Sequence, residues 1–235
     1  MIYSDSMNEN KLYHYLRKFP AKLVLLAVLF VISVYLFGFI VHEVLWEKEE
    51  AADKIVSNFI TDHIVSHNLT KVMKVITFFA SIYFLLVAFT ALALWYLLYK
   101  KSKQLTLNIA AIGISSSLVT YLLKELFRRV RPADPLIDPL RNYSFPSGHA
   151  SSGFIFYGLL AYLIWKSNIR LTYKYIISGF FILFALLIGV SRIYLRIHYA
   201  SDVIAGFCVG FAWLAFSIWI LERLKVKNTH QKLMQ

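Results

Sequence analysis

Six stretches of this chain run long and apolar without a charged side chain: Leu23–Val41, Val75–Tyr99, Gln104–Leu123, Ala150–Trp165, Tyr175–Val190 and Val203–Leu221. A bilayer needs about 20 apolar residues per helical crossing, and in hydrocarbon a helix satisfies its own backbone groups. The expected fold is therefore all-α, an integral membrane bundle of six transmembrane helices. Composition agrees: 59% of the 235 residues are hydrophobic, only 16% are charged, and the mean hydropathy is +0.61, too apolar for a soluble domain. The single cysteine, Cys208, excludes an internal disulfide and a cysteine zinc set. A net charge of +12 would suggest nucleic acid in a soluble protein. Here it is assigned to loops facing anionic lipid and to a substrate cluster, so no nucleic-acid partner is expected.

The division of the chain follows from its charges. Residues 1–22 form a basic cytoplasmic N-terminal segment, with Lys11, Arg17, Lys18 and Lys22 just ahead of the first apolar run. Bulky Phe39, Ile40, Val41 and Trp46 follow that run where a cleaved signal needs small residues, so it reads as a retained span. Between Glu43 and Lys74, Ile55, Phe59, Ile60 and Ile64 recur at roughly helical spacing, as in an amphipathic helix lying on the membrane, or else dot a solvated loop. Lys100, Lys101 and Lys103 stop the second span, and Lys166, Arg170 and Lys174 close the fourth. These clusters, with a basic tail over 223–235, place both termini in the cytoplasm and residues 23–222 in one membrane domain. By parity, the third, fourth, fifth and sixth spans then present Lys124, Arg131, His149, Arg192 and Asp202 at one outer face.

The segment Tyr143-Ser-Phe-Pro-Ser-Gly-His-Ala150 places a turn, a small hydroxyl and a titratable ring just before an apolar run. The first N–H groups of a helix have no partners of their own and its dipole favours negative charge, so an anion such as phosphate suits the position. A polar cap on a transmembrane helix is the alternative. His198 and Asp202 are spaced i, i+4, so on one helical face the carboxylate can take the proton of one ring nitrogen and leave the other nucleophilic. Lys124, Arg131 and Arg192 could stabilise the charge of a phosphoryl group, as metal ions do elsewhere. No acidic metal cage is visible in the sequence, and no cofactor is expected.

Lys124 with Arg131-Pro132, then Pro146-Ser147-Gly148-His149, then Ser191-Arg192, His198 and Asp202 together resemble the three-part signature of the type 2 phosphatidic acid phosphatase family, over roughly residues 75–222. The resemblance implies that His198 attacks phosphorus, that His149 acts as acid and then base, and that Asp202 orients His198. It also implies that Ser147 and the backbone N–H groups of Gly148 and His149 hold phosphoryl oxygens with Lys124, Arg131 and Arg192; for Ser191 the alternative is a cap or turn of the chain. Arg128, Arg129, Arg141 and Arg196 lie outside the signature. They touch lipid headgroups, or one of them receives the second phosphate of a diphosphate.

The function this implies is hydrolysis of a membrane lipid phosphate or diphosphate at the periplasmic or extracellular face of the cell membrane. Undecaprenyl diphosphate, phosphatidylglycerophosphate and phosphatidate are the expected substrates, and lipid A phosphate is the alternative. An anion-binding transporter needs charges deep within the spans, whereas these lie at span ends. A haloperoxidase-like activity shares the signature, and six spans argue against it. Oligomeric state is not legible. His42, His63, His67 and Tyr199 are read as non-catalytic, and Gly206 and Gly210 as a packing or dimerisation pair.

Overall fold

The computed structural model describes residues 21–48, 50–138 and 142–233. The basic residues ahead of position 21, and Arg141, lie outside them. Among the described residues the regular secondary structure is all helical: α1 (Ala21–Val41, running into a π-turn at His42–Trp46), α2 (Ala51–His63), α3 (His67–Phe78), α4 (Ile82–Leu98), α5 (Lys103–Phe127), α6 (Gly148–Lys166), α7 (Leu171–Tyr194) and α8 (Ala200–Leu233). Four helices are long and apolar enough to cross a membrane: Val24–Trp46, Lys103–Phe127, Leu171–Tyr194 and Ala200–Glu222. A bent pair, α3 with α4, makes a fifth if counted as one span.

The second expected span, Val75–Tyr99, is therefore not continuous. Its helix breaks between Phe78 and Ile82 and turns by 42°. Ser81 caps the new helix by accepting the N–H of Phe84 at 3.3 Å. The Tyr157 hydroxyl of α6 donates to the freed Phe79 carbonyl at 2.9 Å. A backbone break at membrane depth persists only where protein satisfies its polar groups, and here Tyr157 does so.

Helix α6 is the hub, packed against α7 and α8 with α5 alongside. Its buried residues include Ala150, Ser151, Gly153, Gly158 and Ala161, small groups that let neighbours approach. Its polar residues His149, Ser151 and Ser152 gather at its N-terminal end, and the expected fourth span, Ala150–Trp165, lies within it. Gly206 and Gly210 of α8 serve this packing: an added Cβ would stand 2.7 Å from the Ser147 carbonyl and 2.9 Å from the Ser151 carbonyl. The pair joins α8 to α6 within one chain. One core joins Ile109 and Ile112 of α5, Ile155 and Leu159 of α6, and Leu214 and Leu221 of α8. Another joins Ala80 and Leu85 to Phe156, Tyr157, Ala185 and Ile188.

The Glu43–Lys74 segment takes the helical one of its two expected forms. Within it, α2 turns Ile55 and Phe59 outward, 69% and 56% exposed, and buries Asp53. Ile60 packs beside Met73, Tyr194, Leu195 and Ile197. The inward face of α2 is thus set by a carboxylate rather than by its apolar stripe, and the reason lies in the site.

Candidate active site

Helix polarity brings the C-terminal ends of α5 and α7 together with the N-terminal ends of α6 and α8. Three backbone bonds fasten the intervening loops: Ser144 N–H to the Arg129 carbonyl (2.8 Å), Ser147 N–H to the Asp202 carbonyl (3.0 Å) and Leu136 N–H to the Leu195 carbonyl (3.0 Å). Helix α5 ends with Arg128 in the left-handed region at φ 48°, the usual way to stop a helix. The chain after it turns across the end of the bundle.

At the centre lies His198, buried in the loop between α7 and α8. Its Nδ1 is 3.3 Å from Asp202 Oδ2 and its Nε2 is 3.2 Å from Arg131 Nη1. An ionised carboxylate only accepts and a guanidinium only donates, so the neutral ring carries its proton on Nδ1 and keeps its Nε2 lone pair. Burial pushes the His198 pKa down to about 3, against the opposing pull of Asp202. The ring is therefore neutral at physiological pH. Asp202 Oδ2 also accepts the Ser144 hydroxyl at 2.5 Å and the Tyr199 N–H at 3.0 Å.

The cations surround this ring. Arg131 donates to the carbonyls of Ile197 (2.7 Å), Asn142 (2.8 Å) and Tyr143 (3.1 Å) and to Asn142 Oδ1 (2.6 Å), bracing both loops. Burial lowers its pKa to about 10 although Asp202 raises it, so it keeps its charge. Lys124 is buried and donates to the carbonyls of Tyr143 (2.7 Å) and Ser144 (3.0 Å). Arg192 is only 2% exposed; Nη1 donates to Thr77 Oγ1 at 2.7 Å, and Nε has no partner among the described residues. A buried guanidinium with an idle donor has spare capacity for an anion.

His149 stands in the first turn of α6, where the cations acting on it are Arg192, Arg131 and Lys124. Ser147 caps that helix, its hydroxyl accepting from Ala150 N–H at 3.5 Å. At Gly148 an added Cβ would meet Thr120 Cγ2 at 3.4 Å, an ordinary contact, so neither packing nor a positive φ demands glycine there. Ser191 points elsewhere, donating to the Ile188 carbonyl at 2.6 Å inside α7.

The four arginines outside the signature divide. Arg128 is exposed beside the Tyr143 ring. Arg196 is partly buried, 3.9 Å from Asp134. Arg129 is turned inward and buried between Asp202 (2.7 Å) and Asp53 (2.8 Å), so it reaches neither a headgroup nor a second phosphate. Burial works against its charge, and the two carboxylates more than compensate, raising its pKa. Sequence reasoning also passed over Ser144, Thr77 and Asp53; Tyr199, read as non-catalytic, has its ring 4.1 Å from the Arg129 guanidinium. Among the described residues no three His, Cys, Asp or Glu side chains converge as a metal site would require.

Comparison with known proteins accords with this geometry. Residues 104–225 match the model of the PAP2 superfamily. The chain is 32% identical over 168 residues to phosphatidylglycerophosphatase B of Bacillus subtilis, covering 70% of this chain and 80% of that protein. It is 30% identical over 167 residues to the dolichyldiphosphatase of Saccharomyces cerevisiae, covering 66% and 70%. The crystal structure of a transmembrane PAP2 type phosphatidylglycerolphosphate phosphatase from Bacillus subtilis superposes with a TM-score of 0.71 at 27% identity, over 84% of this chain and 96% of that one. With its site at one end of a multi-pass helical bundle, the chain belongs to the PAP2 superfamily and is a membrane lipid phosphatase of that family.

Proposed function

We propose that the protein removes a phosphate from a lipid phosphate or diphosphate through a phosphohistidine on His198. The observation that carries this reading is the His198 ring, with Nδ1–H on Asp202 and the Nε2 lone pair turned toward Arg131. Nε2 attacks phosphorus and the bond to the leaving oxygen breaks, with His149 giving that oxygen a proton. His149 then takes a proton from water, which attacks the phosphohistidine and releases inorganic phosphate and free His198. Lys124, Arg131 and Arg192, with Ser147 and the backbone N–H groups of Gly148 and His149, hold the equatorial oxygens. The relatives' names favour phosphatidylglycerophosphate and a polyprenyl diphosphate such as undecaprenyl diphosphate over phosphatidate.

Because cationic side chains take the place of metal in this reading, phosphate release by the purified protein is expected to persist in excess EDTA. A panel of phosphatidylglycerophosphate, undecaprenyl diphosphate, phosphatidate and lipid A phosphate measures this and ranks the substrates together. Loss of activity on chelation, restored by magnesium, would contradict the metal-free mechanism.

The proposed topology has six crossings, with α6 as the crossing enclosed by protein and both termini cytoplasmic. It puts the site outside the cell membrane, because Lys100, Lys101 and Lys103 and the Lys166–Lys174 loop lie at the helix ends remote from His198. The inward turn of Lys124, Arg129 and Arg131 supports discounting the charge of the third loop as a topology signal. In a Cys208→Ala background, Asp138→Cys is expected to react with an impermeant thiol reagent in intact cells, and Lys103→Cys only after lysis. Both positions are exposed. The reverse labelling pattern would put hydrolysis in the cytoplasm.

A further inference from the structure

The proposed reaction gives no task to one buried charge pair that touches it. Arg129 Nη1 donates to Asp202 Oδ1 at 2.7 Å and to Ser201 Oγ at 2.8 Å, while Nη2 donates to Asp53 Oδ2 at 2.8 Å. Asp53 in turn accepts the Ser201 N–H on Oδ1 at 2.9 Å and the Ser201 hydroxyl on Oδ2 at 2.5 Å. Asp53, Arg129 and Asp202 are 5%, 8% and 0% exposed. Helix α2 is thus clamped to the first turn of α8, beside the carboxylate that meets the histidine.

Such a triad is costly to build: each buried ion loses hydration, and removing one member strands the others. A salt link that served only to attach α2 could sit at the surface, or be replaced by apolar contacts. The division of labour on Asp202 indicates more. Oδ1 is occupied by Arg129, and Oδ2 receives Ser144, Tyr199 N–H and His198 Nδ1. Arg129 fixes the plane of the carboxylate and so decides which oxygen faces the ring.

We propose that Asp53 and Arg129 are positioning residues acting in series, Asp53 aiming Arg129 and Arg129 locking Asp202 so that Oδ2 orients His198. The proposal rests on the reading of His198 as nucleophile. It makes the docking of α2 a condition for rapid turnover and places a determinant of rate outside the three-part signature.

The test is kinetics on purified full-length Asp53→Asn, Arg129→Lys, Arg129→Gln and the Asp53→Asn/Arg129→Gln double variant. Rates are expressed per molecule that runs as a single folded species on size exclusion in detergent. Asp53→Asn keeps the size and an oxygen for Ser201 while removing the charge. Its kcat is expected to fall about ten-fold to a hundred-fold, as misorientation of a reacting group does, with KM changed by less than about two-fold. Arg129→Lys is expected to retain more kcat than Arg129→Gln. The double variant should be no slower than Arg129→Gln alone, because one series of contacts is broken only once. Wild-type kcat per folded molecule in Asp53→Asn, losses confined to KM or to the folded fraction, or single-variant losses that multiply would each overturn the proposal. If Arg129→Gln does not fold, Asp53→Asn and Arg129→Lys still decide it. His198→Ala separates the two levels: turnover surviving that change sinks the nucleophile reading, whereas an inactive His198→Ala beside a fully active Asp53→Asn sinks this inference alone.

Discussion

Alanine at position 198 is expected to lower turnover by about 10⁴-fold or more, the scale seen when a covalent catalyst loses its nucleophile. The ring is buried between Asp202 and Arg131, so no neighbouring imidazole can take its place without moving. The other nearby histidine, His149, is fixed in the first turn of α6 and has the leaving oxygen and water as its proposed partners. The protein should still fold, because the loop is held by backbone bonds and by Leu195 and Ile197 in the apolar cluster with Met73. The assay is phosphate release by protein that runs as a single species on size exclusion in detergent. Residual turnover within about ten-fold of wild type would reassign the nucleophile.

Arg192→Ala is expected to cost about 10²-fold to 10³-fold in kcat, the usual effect of removing one donor that stabilises transition-state charge. Arg192 is 2% exposed, and its Nε has no partner among the described residues. Truncation leaves Thr77 Oγ1 without its donor. Arg192→Lys should recover only part of the loss, since an ammonium cannot present two parallel donors to one phosphoryl group. Vanadate, which adopts the trigonal bipyramidal shape of the transition state, should inhibit the wild type competitively and Arg192→Ala much more weakly. Arg128→Ala serves as the contrast, because Arg128 is exposed. Equal weakening in both variants would mean that the site extends to the surface arginines.

The residues that sequence reasoning grouped into one site are those whose relation is written locally: Lys124 to Arg131, Pro146 to His149, and His198 to Asp202. Spacing holds these groups together at helix ends rather than on one helical face: Arg131 lies in the loop after α5, and His198 stands two residues ahead of α8, so it meets Asp202 from the loop and not from the same helix. The pairings that sequence reasoning passed over, Arg129 with Asp53, Arg192 with Thr77 and Ser144 with Asp202, join elements far apart in the chain and leave no local pattern. Arg129 reads like the exposed Arg128 beside it, and only the carboxylates at its two ends distinguish them. Periodicity marks Ile55 and Phe59 as the apolar stripe of α2, which faces outward, but it has no means of weighing the buried Asp53 on the other side. The break after Phe78 carries neither glycine nor proline and depends on a hydroxyl from α6. Hydropathy located the apolar helices well, including α6, whose small residues let its neighbours approach.

The central claim is a covalent phosphohistidine on His198, and trapping it is the most direct test. Wild-type protein in EDTA is mixed with lipid labelled in its terminal phosphate, quenched in alkali within milliseconds, digested and mapped. The account predicts an acid-labile phosphate on the peptide that carries His198, forming before free phosphate accumulates and absent from His198→Ala. Label on His149 or another residue, or phosphate release with no protein-bound label at any time, would contradict it.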